Sequence, residues 1–508
     1  MLAQEKILNL QELAEFVLQA KAINKTVAMC HGCFDLLHMG HIRHFEAARA
    51  LADILVVTVT PDQYVNKGPD RPAFPQDLRM EAIGALACVN YVAMNEWPSA
   101  VETIQLIKPD FYVKGSDYRD NAKDLTGGIS LEEAAVKSVG GELAFTDDIT
   151  FSSSHLINQH QPVLPEEVRA YMADFNTKYS SEDVLGHVES SGSLSVLVVG
   201  EAIIDDYQYC EAIGKSSKEP MLAVKQLSRE TFAGGVLAVG NHLATFCDHV
   251  GLVTLLGSEN SYEDFIRDKL DSNIEETLLF RSDSPTIVKR RYIDTYFFTK
   301  LLEVYEINNA AMGEADNEVL CATLAEQIPR YDVVIVVDYG HGMLTNEAID
   351  ILCNKSNFLA VNTQSNAGNL GYHTISRYPR ADLVCIAENE ARLEARDRGR
   401  DLKEIMFDIS DKLHCSRVVV TRGKYGCVCY SEEEGYFEIP ALADQVVDRV
   451  GAGDAFLSVA SMSLANGAPM EVAGLVGNAA GAQAVTVVGN RVSIERVALL
   501  KHIETLLK

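Results

Sequence analysis

Two histidines three positions apart, His38 and His41, are the first residues of this sequence whose types and spacing suggest chemistry. They follow an apolar run that predicts a strand ending near Gly32, and they open a segment with helical periodicity. Residues three apart on a first helical turn share a face, and a helix N-terminus attracts phosphate. Two imidazoles there can donate hydrogen bonds to a triphosphate and stabilise the charge of phosphoryl transfer. The alternatives are a metal site, for which no third ligand stands nearby, and a purely structural pair.

A second informative cluster is the run Gly451-Ala452-Gly453-Asp454. Small residues at the start of a helix can turn successive N–H groups inward and form an anion hole. Asp454 then lies at the helix N-terminus, where it can accept a proton from a hydroxyl nucleophile. A capped helix with a glycine turn is the plain alternative. Three further segments with glycine and polar residues follow predicted strands, at residues 200–207, 338–342 and 421–426, and the pair Gly234-Gly235 precedes a predicted helix that carries Asn241.

The elements around these residues alternate short apolar runs with helical patterns, which is typical of parallel α/β folds. The predicted strands are 26–30, 54–60, 91–94, 111–114, 195–199, 333–337, 358–361, 383–386 and 417–421. Between residues 161 and 193 the pattern changes to a predicted helix, 166–179, and then to a Ser- and Gly-rich linker. The sequence therefore predicts two α/β parts with a helical linker between them.

The composition limits the partners that the protein can have. The 508 residues suffice for two large domains or three of ordinary size. Forty-four basic against 72 acidic residues give a formal charge of −28, which disfavours nucleic acid and anionic membranes and requires local cations for anionic substrates. No run of about 18 apolar residues exists, so we expect no transmembrane helix. An amphipathic helix rather than a signal peptide at the N-terminus, together with 11 scattered cysteines, predicts a cytoplasmic protein.

Residues 26–158 resemble the cytidylyltransferase-like nucleotidyltransferases, whose H-x-G-H signature matches residues 38–41. Further pieces follow in the family's order: a basic loop at 67–72, Arg79 at a helix start, K-G-x-D-Y at 114–118 and F-S-S-S at 151–154. The resemblance implies a Rossmann-like domain in which His38 and His41 are catalytic. It implies nucleotide contacts from Gly32, Phe34, Lys67, Arg79, Lys114, Asp117, Ser152, Ser153 and Ser154.

Residues 194–508 are similar to the ribokinase-like (PfkB) sugar kinases, and most of all to the heptose 7-phosphate kinase branch. The resemblance implies an α/β domain with a small β lid and Asp454 as the catalytic base. Three places depart from the family pattern. Ala238 replaces a sugar-binding Asn, Arg392 replaces a Glu tied to Mg²⁺ and phosphate, and N-T-Q at 362–364 replaces the usual D-P-K. The implied sugar contacts are Asp205, Gly234, Gly235 and Asn241. The implied nucleotide and phosphate contacts are Asn389, Thr421, Gly423, Gly426, Gly451, Ala452 and Gly453.

The whole chain resembles the bifunctional ADP-heptose synthases with their two domains in reverse order. The expected limits are 1–160 for the nucleotidyltransferase, 161–193 for the linker and 194–508 for the kinase. The resemblance implies a kinase that uses ATP to phosphorylate C1 of a heptose 7-phosphate-like sugar. It implies a transferase that joins a sugar 1-phosphate to a nucleoside triphosphate, most readily ATP, and releases pyrophosphate, with Mg²⁺ needed by both.

Two other functions stay open. One is a CTP-dependent cytidylyltransferase for a polyol phosphate that the kinase supplies. The other is an active transferase beside a kinase-like scaffold without catalysis, which the departures at Ala238 and Arg392 would explain. Lid-like alternation at 225–232 and 291–307 further predicts a homodimer through the second domain, since so small a lid exposes an apolar face.

Overall fold

The structure is a computed structural model that describes residues 2–68, 71–115, 128–146, 164–308, 310–443 and 445–508. The chain divides into two compact units. The first consists of the residues up to Ala173 together with Val497–Lys508, and the second consists of Asp174–Arg496. The predicted domain limits stay predictions. Four predicted site residues lie outside the described residues: Asp117, Ser152, Ser153 and Ser154.

Strands and helices alternate through most of the described chain. The strands are β1 (Ile7–Leu8), β2 (Val27–Gly32), β3 (Ile54–Val59), β4 (Tyr91–Met94), β5 (Phe111–Gly115), β6 (Glu142–Thr146), β7 (Ser195–Gly200), β8 (Ala202–Lys215), β9 (Leu222–Gly235), β10 (His249–Glu259), β11 (Ile274–Pro285), β12 (Ile287–Asp294), β13 (Thr299–Glu306), β14 (Val333–Asp338), β15 (Phe358–Thr363), β16 (Leu383–Ala387), β17 (Arg417–Thr421), β18 (Cys427–Ser431) and β19 (Gly435–Ile439). The helices are α1 (Leu10–Ala22), α2 (Met39–Leu51), α3 (Gln76–Gly84), α4 (Val101–Ile107), α5 (Gly128–Ser138), α6 (Glu166–Lys178), α7 (Ser181–Glu189), α8 (Val236–Ala244), α9 (Glu263–Lys269), α10 (Glu314–Gln327), α11 (Asn346–Lys355), α12 (Glu388–Ala395), α13 (Leu402–Lys412), α14 (Ala452–Ala465), α15 (Met470–Ala484) and α16 (Arg496–Leu507).

The first unit is built on a parallel sheet whose described strands have the order β1-β4-β3-β2-β5-β6. Neighbouring residues on a strand point to opposite faces. On β2, Met29 therefore packs with α1, α4 and α5, while Cys30 packs with α2 and α3. The chain order reverses between β2 and β5, which opens a crevice at the carboxyl ends of these two strands.

The second unit has a main sheet and a separate lid. In the main sheet the order is β11-β10-β7-β14-β15-β16-β17-β18-β19; β18 pairs antiparallel with both β17 and β19, and the other neighbouring strands pair parallel. The lid is a second sheet of order β13-β12-β8-β9. Its register places Lys289 of β12 beside both Asp205 of β8 and Tyr305 of β13.

This architecture confirms the predicted fold class. Each predicted strand falls on an observed one, with ends shifted by no more than two residues. The predicted lid run 225–232 lies inside β9, whereas the run 291–307 is split by a hairpin between β12 and β13. Residues 181–189, which lie in the predicted linker region, form a helix of their own, α7.

The helices and the cysteines bear on two of the predictions made from composition. No helix within it is both long and apolar enough to cross a bilayer. The 11 cysteines are free thiols. The cytoplasmic location and the expected lack of nucleic-acid and membrane partners stay predictions.

Arg79 joins the loops that follow β2 and β3. The arginine is 2% exposed, and its guanidinium donates to the carbonyl oxygens of Phe74 (2.9 Å), Thr60 (2.9 Å) and Cys33, besides pairing with Asp62. All three nitrogens are thus engaged by the protein. In the structure Arg79 holds the loops after β2 and β3 together. Its predicted contact with a nucleotide stays a prediction.

We expect Arg79→Met to destabilise the first unit by about 3 kcal/mol, because buried carbonyl groups lose their donor. The single tryptophan of the chain, Trp97, packs in the core of this unit, so urea unfolding followed by tryptophan fluorescence reports the unit selectively. The exposed Arg43 provides the control: Arg43→Met should stay within about 0.5 kcal/mol of the wild type. Equal unfolding midpoints for the two variants would contradict the assignment.

Candidate active sites

The histidine site, which comprises Gly32, His38, His41, Lys67 and Lys114, lies around the carboxyl end of β2. Gly32 is the last residue of β2, and Lys114 lies on the neighbouring strand β5. These are the two strands between which the order reverses, and α/β folds bind ligands at that position. A Cβ atom on Gly32 would lie 3.0 Å from the Phe34 ring, so the close approach of that ring favours glycine.

His38 and His41 lie side by side at the start of α2. His38 is the N-cap of the helix, and its Nδ1 accepts a hydrogen bond from the Gly40 backbone (3.1 Å). The two imidazole centroids are 4.0 Å apart, and the Phe34 ring meets His41 edge-on at 5.4 Å. The Nε2 atom of His38 is buried and has no hydrogen-bond partner among the described residues. The predicted pair is therefore brought together with a ring nitrogen left for a ligand.

Both imidazoles are neutral at neutral pH. Burial lowers the pKa of His38. Burial, with smaller contributions from His38, His44 and Lys67, lowers the pKa of His41 to about 3. A neutral imidazole can still donate one N–H to a phosphate oxygen. The negative charge of a bound triphosphate favours the protonated form of both rings, so binding strengthens the donors.

Asp35 shapes the histidine site although the sequence analysis gave it no role. Its buried carboxylate accepts hydrogen bonds from the backbone N–H groups of Ala73 and Phe74, both at 3.0 Å, and pairs with Arg71 at 3.5 Å. These contacts hold residues 71–74 against the loop that carries the histidines. The signal for this role in the sequence is the position of Asp35 between Gly32 and Gly40.

The two lysines of the histidine site differ in their partners. Lys114 forms a largely buried ion pair with Glu132 (2.9 Å), and its Nζ lies 5.2 Å from the Tyr112 ring centroid. Lys67 lies close enough to His41 to lower its pKa and has no ion pair among the described residues. Lys67 is therefore the better placed cation for a triphosphate, whereas Lys114 must leave Glu132 to bind one.

The aspartate site, which comprises Asp205, Gly234, Arg291, Tyr339 and Asp454, belongs to the second unit. Asp205 on β8 forms an ion pair with Arg291 on β12. A Cβ atom on Gly234 would lie 2.1 Å from Asp205 Oδ2, so the carboxylate fits only against glycine. Gly235 has a φ of +61°, and a Cβ there would lie 2.5 Å from the Glu201 carbonyl oxygen. Asp205 and the glycine pair, all predicted as sugar contacts, thus lie together in the structure.

Asp454 lies in the first turn of α14, next to Tyr339. Gly451, with a φ of +86°, is the N-cap of this helix, and the Tyr339 hydroxyl donates to Asp454 Oδ1 at 3.0 Å. The buried Glu201 fixes the tyrosine loop by accepting hydrogen bonds from the backbone N–H groups of Tyr339 (2.9 Å) and His341 (3.0 Å). The segment 338–342 was singled out in the sequence, but only the structure shows that its tyrosine contacts the predicted base.

The pKa of Asp454 suits a general base. Burial raises it to about 7, and the charge of Asp205 acts in the same direction. The hydrogen bond from Tyr339 and the charge of Lys289 act against this increase. A carboxyl group with a pKa near the working pH combines a large ionised fraction with a strong tendency to take up a proton. Such a shifted carboxyl group is typical of catalytic centres.

The predicted nucleotide contacts of the second unit lie at a strand end and at two helix starts. Thr421 ends β17, and Gly423 (φ +56°) and Gly426 (φ +77°) shape the turn that follows it. A Cβ on Gly426 would lie 1.9 Å from the Ile439 carbonyl oxygen, which requires glycine there. The remaining predicted contacts are in the first turns of α12 and α14: Asn389, which is exposed, Ala452 and Gly453.

Arg392, which replaces an expected glutamate, bonds to groups that are not part of the aspartate site. It pairs with Glu388 (2.7 Å) and donates to the carbonyl oxygens of residues 398 and 400. Glu390, on the same helix, accepts a hydrogen bond from the Ser365 backbone (3.0 Å), and its charge contributes to the raised pKa of Asp454. The carboxylate of α12 that acts on the base is therefore Glu390.

Asn241 is a predicted sugar contact, but both the nitrogen and the oxygen of its side-chain amide form hydrogen bonds within the protein. Its nitrogen donates to the Lys269 carbonyl oxygen (2.9 Å), and its oxygen accepts from the Asp271 backbone (3.0 Å). These bonds hold the turn after α9. A sugar contact from Asn241 stays a prediction, and it requires these two bonds to break.

Comparisons with known proteins agree with the two resemblances. Residues 29–181 match the cytidylyltransferase-like family, and residues 193–496 match the pfkB family of carbohydrate kinases. The bifunctional protein HldE of Trichlorobacter lovleyi is 39% identical over 118 residues, 23% of this chain and 24% of its own. The HldE of Geobacter sulfurreducens is 35% identical over 147 residues, 28% and 29% of the two chains. Among solved structures, phosphofructokinase-2 of Escherichia coli covers 62% of this chain and 100% of its own, at 15% identity and a TM-score of 0.49.

The similarity to the curated relatives is confined to the N-terminal part, and the chain spans about a quarter of their length. The pfkB match is broader, since it covers well over half of the 508 residues and includes every residue of the aspartate site. Both predicted family resemblances are confirmed. With a match that extends over residues 193–496, this chain belongs to the pfkB family of carbohydrate kinases.

Proposed function

We propose that this protein is a bifunctional sugar-activating enzyme, with a kinase in the second unit and a nucleotidyltransferase in the first. The observation that carries the proposal is that one chain holds two clusters of residues whose chemistry suits phosphoryl transfer. One has the adjacent imidazoles of His38 and His41 at a helix start, and the other has Asp454 at a helix start near Asp205. The bifunctional HldE relatives support the combination.

In the kinase reaction, a hydroxyl oxygen of the sugar attacks the γ-phosphorus of ATP, and ADP leaves. Asp205 and the backbone of Gly234 hold the sugar, while Asp454 accepts the proton of the attacking hydroxyl. The N–H groups of residues 451–453 at the start of α14 stabilise charge on the phosphoryl group. We assign the acceptor as a heptose 7-phosphate-like sugar that is phosphorylated at C1.

In the transferase reaction, a phosphate oxygen of the sugar 1-phosphate attacks the α-phosphorus of the nucleoside triphosphate. The bond to the β-phosphate breaks, and pyrophosphate leaves. His38 and His41 donate hydrogen bonds to phosphate oxygens as charge develops, and Lys67 supplies a cation. We propose ATP as the nucleotide.

Mg²⁺ would accompany the triphosphate in both sites. Within the described residues, no three His, Cys, Asp or Glu side chains cluster closely enough to hold a metal ion by themselves. That arrangement fits Mg²⁺, which commonly takes its oxygen ligands from substrate phosphates, waters and one or two carboxylates. In the second unit Glu390 would supply such a carboxylate. The bound ion would neutralise phosphate charge, while the proton stays with Asp454.

The transferase is tested by measuring pyrophosphate release from ATP and from CTP, each with sugar 1-phosphates and with a polyol phosphate. The same screen shows whether the nucleotide is ATP or CTP. Transfer of labelled γ-phosphate from ATP to heptose 7-phosphate and a panel of other sugars tests the kinase. If the wild type transfers phosphate to none of them while pyrophosphate release is normal, the second unit is a scaffold.

His38→Ala and His41→Ala should each lower nucleotidyl transfer by about 10²–10³, the loss typical of one transition-state donor. The kinase reaction of the same variant is the internal control and should keep its wild-type rate, because the histidines lie in the other unit. Pyrophosphate release near the wild-type rate in either variant would remove that histidine from the mechanism.

Asp454→Asn should lower the kcat of the kinase by about 10²–10⁴ and leave KM nearly unchanged, because only the proton acceptor is lost. Nucleotidyl transfer should not change. In the wild type, kcat/KM should fall about tenfold per pH unit below pH 7, since protonation of a base with a pKa of about 7 removes it.

Tyr339→Phe removes a hydrogen bond that favours the ionised form of Asp454, so the pKa of Asp454 should rise. The acidic limb of the pH profile of kcat/KM, which is its decline at low pH, should therefore move to higher pH. Tyr296→Phe, at an 83% exposed position, is the matched control. A limb that stays in place in Tyr339→Phe would show that the tyrosine does not tune the base.

We propose a homodimer through the outer face of the lid. Leu302 (59% exposed) and Val304 (38% exposed) lie on this face of β13, opposite the face that carries Asp205 and Lys289. The wild type should be a dimer by light scattering at micromolar concentration, and Leu302→Lys with Val304→Lys should shift it to a monomer. Leu18→Lys, at a 72% exposed apolar position in the first unit, should remain a dimer. A monomeric wild type would contradict the proposal.

A further inference from the structure

Lys289 is a buried cation in the second unit that none of the steps above uses. It lies on β12, is 5% exposed, and stands in register beside Asp205 on β8 and Tyr305 on β13. Its Nζ lies 5.2 Å from the Tyr305 ring centroid and 5.3 Å from the Tyr339 ring centroid. The Tyr339 hydroxyl, in turn, donates to Asp454. The ammonium group therefore lies between the predicted sugar-binding aspartate and the predicted base.

The neighbouring lid cations Arg291 and Lys300 form ion pairs, but Lys289 forms none with the described residues. Arg291 pairs with Asp205 and with Glu303 (2.8 Å), and Lys300 pairs with Asp448 (2.6 Å). Asp205, which stands beside Lys289 in the register of the sheet, is thus in direct contact with Arg291 and not with Lys289.

A buried ammonium that no carboxylate contacts directly is costly. Moving an ion out of water costs several kcal/mol unless an opposite charge or hydrogen-bond acceptors replace the water. The two tyrosine rings offset only part of this cost as cation–π contacts. Burial accordingly lowers the pKa of Lys289, although the charges of Asp205, Glu303 and Glu201 act in the opposite direction. An anionic ligand that enters between Asp205 and Asp454 would remove this cost.

We propose that Lys289 binds a phosphoryl oxygen in the kinase site. The proposal rests on the kinase function proposed above and adds a residue to it. Two phosphates can supply the oxygen: the phosphate that the acceptor sugar already carries, or the γ-phosphate of ATP. A compact ammonium with three donors suits either, since it acts as a point charge and needs no planar partner.

The test compares Lys289→Met, which keeps the buried stem and removes the charge, with Lys289→Arg and with Lys215→Met at an exposed lid position. Acceptors are heptose 7-phosphate and free heptose. If Lys289 holds the acceptor's phosphate, Lys289→Met should raise KM for heptose 7-phosphate about 10–100-fold and leave free heptose unchanged. If it holds the γ-phosphate, kcat should fall about 10²–10³-fold with both acceptors. In either case Lys289→Arg should recover part of the loss, and Lys215→Met should match the wild type.

Kinetic constants of Lys289→Met within twofold of the wild type for both acceptors would overturn the proposal. Equal losses in Lys289→Met and Lys289→Arg would also overturn it, because the charge would then not matter. Calorimetric titration with inorganic phosphate separates this failure from a failure of the kinase function. If the wild type phosphorylates no sugar, it should still bind phosphate at one more site than Lys289→Met does. Identical titrations of the two proteins would overturn the proposal.

Discussion

The carboxylate of Asp205, held between the Arg291 guanidinium and the bare backbone of Gly234, is the interaction on which the second unit depends. A buried carboxylate is tolerated only with a charged or hydrogen-bonding partner. Here the partner is Arg291 on β12, and the space for the carboxylate comes from Gly234 on β9. The register of β8, β9 and β12 and the position of the Asp205 carboxylate therefore depend on each other. The same register brings Lys289 alongside Asp205, and with it the charge that acts on Asp454.

Both units must attract anionic phosphates although the chain as a whole is negatively charged, and both use the same structural elements. The chain carries a formal charge of −28, so its overall field repels phosphates. Each candidate site counters this field locally, at the carboxyl ends of parallel strands and at the start of a helix, where backbone N–H groups are free. The first unit adds Lys67 near His41, and the second adds Lys289 near Asp454. Local geometry therefore outweighs net charge in deciding what can bind.

Buried charged side chains also fix the loops that carry the catalytic groups. Asp35 and Arg79 hold the loops around the histidine site through backbone N–H and carbonyl groups. Glu201 does the same for the loop of Tyr339. A buried charge that satisfies several backbone groups at once resists displacement, because each lost bond leaves a polar group unpaired. Such residues stabilise the loops around each site.

The sequence by itself determined the alternation of strands and helices, the two families, and the local motifs whose chemistry depends on short spacing. His38 and His41 meet because three positions on a helix start define a common face, and Asp454 lies in a first turn because Gly451 ends the preceding loop. Only the tertiary structure decided that Arg79 bonds to the loops after β2 and β3, that Asn241 holds the turn after α9, and that Lys289 lies beside Asp205. The physical reason is that strand register and burial arise between residues far apart in the chain, and spacing along the sequence does not encode them.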